Sequence, residues 1–226
     1  MPKLTHLVSL AAVLAPLVWS GAAQAQRAAP QFPDMTFFMT SKSGPEGANF
    51  GGIAGADRHC QALAAKAGAG GKTWRAYLST QAVDGKAAIN ARDRIGTGPW
   101  VNTAGVQVAA NVDELHSPQS KIGVEIGRSE NGRRIPGRDF VVNQHDILTG
   151  STADGRAFPP GKDMTCGNWT KGGDDGTAMI GHHDRKSGRP GPAGMSWNSA
   201  HPTRGCSASK LKSSGGAGLL YCFAVK

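Results

Sequence analysis

Aromatic residues are scarce in this sequence: they make up 6% of its 226 residues, and only two are tyrosines. So few large side chains cannot fill a deep core shared by many long elements. The 32 glycines point the same way, toward short strands and helices joined by long loops. Long hydrophobic runs are missing too. Beyond residue 25 nothing approaches the roughly 20 apolar residues that a membrane-spanning helix needs. Motifs of several catalytic classes are also absent. There is no Gly-x-Ser-x-Gly elbow for a serine nucleophile, and the glycines at 68–71 lack the Lys-Ser/Thr that completes a phosphate loop. Asp113 and Glu114 could be drawn as paired carboxylates, but neighbours on one turn do not flank a glycosidic bond. The basic residues form no long run, and the aromatic–basic interleaving of single-strand binders is missing. Nucleic acid is therefore not an expected partner. No internal repeat or domain linker is visible.

What is present begins with a leader. Residues 1–25 combine a short basic start containing Lys3, an apolar stretch from Leu7 to Trp19 interrupted by Pro16, and an Ala-x-Ala site at Ala23-Gln24-Ala25. That is the pattern of a secretory signal peptide. The mature chain is expected to begin near Gln26, to be periplasmic or secreted, and to have no membrane span. Residues 26–34 read as a flexible lead and 35–226 as one domain of ordinary length. The formal charge of +9 suits acidic partners such as sulfated or uronic polysaccharide, as well as plain solubility. Four cysteines in an exported chain make an even set for two bridges.

Periodicity places those cysteines. Ala56, Cys60, Leu63, Ala64 and Ala67 fall on one face of a helix over 56–67, with Asp57 in its first turn and Gly68 as its stop. Leu219 to Val225 is nearly all apolar, as in a strand buried on both faces. Cys60 and Cys222 are thus both core positions and are expected to pair, which leaves Cys166 with Cys206 in a nested pattern. Further strands are expected over 35–40, 72–79, 124–126, 140–142 and 177–180, a short helix over 84–95, and a helical turn over 111–116.

The densest set of possible ligands lies between Cys166 and Cys206, with His145 upstream. Zinc takes neutral imidazole and carboxylate, so His182, His183, Asp184 and His201 are the metal candidates. Adjacent residues of a strand point to opposite faces, so at most one of His182 and His183 can join a given site. Calcium prefers oxygen and would use Asp174, Asp175, Asp184 and Asn198. The same residues equally suit a structural task, tying down glycine-rich loops by hydrogen bonds. Trp169 and Trp197 are expected in the core rather than stacked on a sugar ring.

Four segments resemble the endostatin domain of the animal collagens in order and spacing. They are Gly-Ile-Ala-Gly-Ala-Asp-Arg-His-Cys at 52–60, Gly-Lys-Thr-Trp-Arg-Ala-Tyr-Leu-Ser at 71–79, Ala-Arg-Asp-Arg at 91–94 and Val-Asp-Glu-Leu at 112–115. Cys-Gly-Asn-Trp at 166–169 and Tyr-Cys-Phe at 221–223 match that family's later cysteines. The resemblance implies an α+β, C-type-lectin-like fold: a twisted, mostly antiparallel sheet with two helices, long loops and nested bridges. It does not carry over the family's zinc site, since Asp113 matches the aspartate but Thr36 stands nearest the histidines. Of its heparin-binding arginines, one is replaced by Ala54, while Arg75, Arg92 and Arg94 match basic positions. The sugar–calcium motifs of the lectins are missing as well, with Trp197-Asn198 followed by Ser199. The function expected is an exported, non-enzymatic binding module for an acidic glycan or a surface protein, using those arginines together with Asp174, Asp175, Asp184, Asn198 and His201. The alternatives are a metal-dependent enzyme using His182, His183, Asp184 and His201, or a structural component of the cell envelope.

Overall fold

The computed structural model describes Met1, residues 31–188 and residues 191–225. Residues 2–25 of the expected signal peptide and 26–30 of the flexible lead lie outside the described residues. The strands are β1 (Phe37–Met39), β2 (Thr73–Ala76), β3 (Trp100–Val101), β4 (Gln107–Ala109), β5 (Asp146–Leu148), β6 (Met179–His182), β7 (His201–Pro202) and β8 (Gly216–Val225). The helical segments are α1 (Ile53–Lys66), α2 (Val112–Leu115), α3 (Cys166–Trp169) and α4 (Ala208–Ser214).

Strand β8 is the centre. Leu220, Cys222 and Ala224 pack into one hydrophobic cluster, and Leu219, Tyr221 and Phe223 into a second. Strand side chains alternate between faces, so both faces are covered and the strand is apolar throughout. Cys222 has Phe38 of β1 opposite it on one edge and Ala76 of β2 on the other. Further down, β5 joins β8 in parallel through Ile147 and Leu148. The sheet then continues antiparallel through β6 to β7. A separate hairpin pairs β3 with β4.

Helix α1 lays Ala56, Cys60, Leu63 and Ala64 on the first cluster. This brings Cys60 to Cys222, and Cys166 bridges Cys206; the two bridges nest, with sequence separations of 162 and 40. The molecule is therefore α+β, with a mostly antiparallel sheet and two disulfides. Among the described residues there are four helical segments where two were expected, and two of them are single turns.

Several local expectations give way. Residues 84–95 are not a helix. Asp84 and Gly85 take positive φ (50° and 74°) and close a turn between Val83 and Lys86, so the Asp-Gly pair acts as a turn and not as a cap. Only Ala91–Asp93 coils, as a 3-10 turn. Residues 124–126 form a turn, and Phe140 to Val142 are exposed and lie outside the strands. Because α1 begins at Ile53, Asp57 lies beyond its first turn. Its carboxylate instead accepts from the Ala76 N–H (2.9 Å) and Arg94 Nη2 (2.6 Å), tying helix to sheet. The segment α3 winds left-handed: φ is 48° at Cys166, 62° at Gly167, 55° at Asn168 and 69° at Trp169. Such a run costs about 1–2 kcal/mol for each non-glycine residue. The bridge at Cys166 holds it, together with Asp163, whose carboxylate accepts from the Thr165 and Gly167 N–H groups, and Asn168, whose side chain pairs with the Gln81 backbone.

Candidate metal centre

The sheet brings together residues that are far apart in sequence. Asp146 of β5 is in register with His182 of β6, and on its other side with Gly216 of β8. By alternation both side chains share the face of Leu148 and Ile180, beyond the end of the apolar cluster. His201 enters from β7, opposite Ile180. His145 precedes β5, and its ring stacks on that of His182 with centroids 4.1 Å apart and planes 13° apart.

The nitrogens converge on one carboxylate. His145 Nε2 is 3.1 Å, His182 Nε2 3.4 Å and His201 Nε2 3.9 Å from Asp146 Oδ1. The other nitrogen of each ring is held in place. Nδ1 lies 3.1 Å from Asp184 Oδ1 in His145, 2.5 Å from the Gly194 carbonyl in His182, and 3.1 Å from the Pro202 carbonyl in His201. A ring that donates through Nδ1 presents a lone pair at Nε2. This is how metal-binding histidines are oriented.

Burial sharpens the reading. His145, Asp146 and the His182 ring are no more than 3% exposed. Yet Asp146 Oδ1, Asp146 Oδ2 and His182 Nε2 have no hydrogen-bond partner. The 3.1 Å approach of His145 Nε2 to Asp146 Oδ1 is a hydrogen-bond distance without hydrogen-bond alignment. A buried polar atom left in this way costs about 1–3 kcal/mol. Two ligands at about 2.0–2.1 Å from one tetrahedral ion stand about 3.4 Å apart, close to the separations found here. His145, Asp146 and His182 each offer one such atom, all within 4.8 Å of one another. Among the described residues no other group of three His, Cys, Asp or Glu side chains gathers so closely. Gly215 closes one side. Its φ is 120°, and a Cβ there would lie 3.2 Å from both His145 Nε2 and Asp146 Oδ2.

The electrostatics follow from the same contacts. Burial disfavours the charged His145 ring, but the carboxylates of Asp146 and Asp184 beside it outweigh this and push the ring up to about 9. Burial likewise works against the Asp184 carboxylate. Hydrogen bonds from His145 and from the Arg138 and Lys186 N–H groups prevail and hold it below its ordinary range. Burial also opposes ionisation of Asp146, which His145 and His182 nonetheless keep low. Of these residues His182 reaches a cleft of about 390 Å³, whose walls also include His201, Arg138, Arg204 and Ser214.

Of the residues singled out from sequence, His182 and His201 meet here, and Asp184 stands behind His145. His183 turns to the other face, as strand geometry requires, with Nε2 3.3 Å from the Pro136 carbonyl. The oxygen set proposed for calcium is not brought together. Asp174 accepts from Ser207 Oγ at 2.5 Å, Asp175 lies 3.3 Å from Lys171 Nζ, and Asn198 is buried, donating to Tyr77 Oη at 2.9 Å. The three arginines are engaged internally: Arg75 with the Arg94 carbonyl, Arg92 with Asp113, Arg94 with Asp57. Trp169 and Trp197 are both buried. Sequence reasoning missed Asp146 and did not enrol His145. Their only signal was an adjacent His-Asp pair ahead of a short apolar run, which does not reveal that it lies in register with His182. Comparison with protein-family models and with curated proteins finds no match.

Proposed function

We propose that this protein is an exported metalloenzyme in which His145, Asp146 and His182 hold one zinc-class divalent ion at the floor of the basic cleft. The observation that carries this reading is the set of partnerless buried atoms, Asp146 Oδ1, Oδ2 and His182 Nε2, facing one point among oriented imidazoles. Two imidazoles with one carboxylate suit zinc or its neighbours and not calcium. Three protein ligands leave a fourth position for water, the arrangement of catalytic rather than structural zinc. A divalent ion held there would lower the pKa of that water toward 7 and so supply a hydrolytic nucleophile. His201, partly exposed on the cleft wall and 3.9 Å from Asp146, is placed to take the proton. In hydrolysis of an ester, where ester and water become acid and alcohol, His201 would return that proton to the departing oxygen.

This reading moves ahead of the glycan-binding module because Arg75, Arg92 and Arg94 already have internal partners. Export to the periplasm or beyond the cell is supported by the leader pattern and by two disulfides, which persist in oxidising compartments. A C-type-lectin-like fold of the endostatin kind is supported by the nested bridges and the long loops. Elemental analysis of untagged protein from the exported fraction tests the function. One zinc per chain is expected, lost in His182→Ala and Asp146→Ala variants that keep wild-type circular dichroism. A chain that retains no divalent transition ion under any supply refutes it.

A further inference from the structure

We infer that the cleft over His145, Asp146 and His182 receives the tetrahedral oxyanion of a phosphate or sulfate ester, held by Arg138 and Arg204; the hydrolysis of that ester rests on the metal reading, the binding of the anion does not. The two arginines differ from four others in the fold. Arg92, Arg94, Arg134 and Arg156 each pair with a carboxylate, of Asp113, Asp57, Glu125 and Asp154 respectively. Arg138 and Arg204 line the cleft, are exposed, and have no carboxylate within ion-pair distance among the described residues. No carboxylate lines the cleft either.

Both arginines are anchored by their backbones while the guanidinium is left available. The Arg138 N–H donates to Asp184 Oδ2 at 2.6 Å, and the Arg204 N–H to Ser214 Oγ at 2.9 Å. The Arg138 guanidinium lies against Gly188, where a Cβ would fall 2.3 Å from Nη2, so the absence of a side chain at 188 leaves room for that charge there. Guanidinium groups bind oxyanions through paired N–H donors. Two of them from separate segments, with a cation at the floor, supply donors from more directions than a planar carboxylate can use. A tetrahedral oxyanion has oxygens for all three.

The test is calorimetric titration of the full chain, zinc-loaded and again after chelation, with inorganic phosphate and with inorganic sulfate. Binding is expected in both states and stronger with zinc. Arg138→Ala and Arg204→Ala should each weaken it at least tenfold without changing zinc content, whereas Arg133→Ala on the exposed surface should not. Gly188→Val, which crowds the Arg138 guanidinium and leaves charge unchanged, should also weaken it. Phosphate bound more tightly than sulfate assigns phosphate esters; the reverse order assigns sulfate esters. No binding of either anion, or equal binding by the double arginine variant, overturns the inference even if zinc is present. Arginine-dependent binding by a chain that holds no zinc sustains the anion site and removes only the metal reading.

Discussion

His145 and Arg138 are joined through one carboxylate. Asp184 accepts from His145 Nδ1 at 3.1 Å through Oδ1, and from the Arg138 backbone N–H at 2.6 Å through Oδ2. The group that orients the His145 ring thus also fixes a basic residue on the wall of the cleft. Asp184→Asn keeps the shape and removes the charge. Loss of such a partner costs about 10–100-fold in metal affinity, and a drop of that order in zinc affinity, read by competition with a chromogenic chelator, is expected. Unchanged affinity would mean that the His145 ring is positioned by stacking on His182 alone.

The metal-free protein should be less stable in alkali. The folded value of His145, about 9, lies above its ordinary 6.5. Its contribution is therefore complete below pH 6.5 and lost as the pH rises through 9. Asp184 shifts the other way, so its share is present above the ordinary carboxylate value of 3.8 and lost as acid takes the pH down through its lowered value. The combined share of these two groups in chelator-treated protein is complete between about pH 4 and 6.5. Its melting temperature should fall from pH 6.5 to 9, and that fall should be missing in His145→Gln. Added zinc should stabilise more at higher pH, because ligand rings must shed protons to bind it. A flat melting profile for the metal-free wild type would contradict the assignment.

Tyr77 makes a buried relay. His116 Nδ1 is 2.7 Å from the Val112 carbonyl, so its Nε2 accepts from Tyr77 Oη at 2.7 Å, and Tyr77 Oη accepts from Asn198 Nδ2 at 2.9 Å. Tyr77→Phe leaves His116 Nε2 without its donor and should cost about 1–3 kcal/mol. Urea unfolding measures this. A loss too small to resolve would show that water replaces the phenol at no expense.

The two disulfides should differ in weight. Loop-closure entropy gives about 5 kcal/mol for the bridge spanning 162 residues and about 4 kcal/mol for the one spanning 40. Paired serine variants compared by denaturant midpoint should rank Cys60–Cys222 as the more costly to remove. The opposite ranking would point to the left-handed turn at Cys166 as the feature that most needs its staple.

What could be read in the sequence was what short-range pattern encodes. Ala56, Cys60, Leu63 and Ala64 share a helical face, and Leu219 to Val225 is uniformly apolar, so α1, β8 and the bridge between them were legible. Short elements whose pattern is weak were not. β5 is three residues long, and one of them is an aspartate at its buried end. The capping signature of α4, Ser207 before it and Gly215 after it, was present but follows closely on a cysteine loop. Half of the candidate centre was visible as His182 and His201. Asp146 was not, because its place beside His182 depends on strand register, and two short runs in one sequence do not reveal which residue pairs with which.

The central position of β8 also sets an order of events during synthesis. Among the strands, β1 and β2 pair only with β8. Neither gains its neighbour until residues 216–225 have been made. The Cys60 thiol waits just as long for Cys222, while Cys166 and Cys206 are both made in the interval and can close first. The growing chain therefore passes through a stage in which β1 and β2 lack their partner strand and the Cys60 thiol has two wrong partners to meet. The Cys60–Cys222 bridge is thus the later of the two that the growing chain can complete.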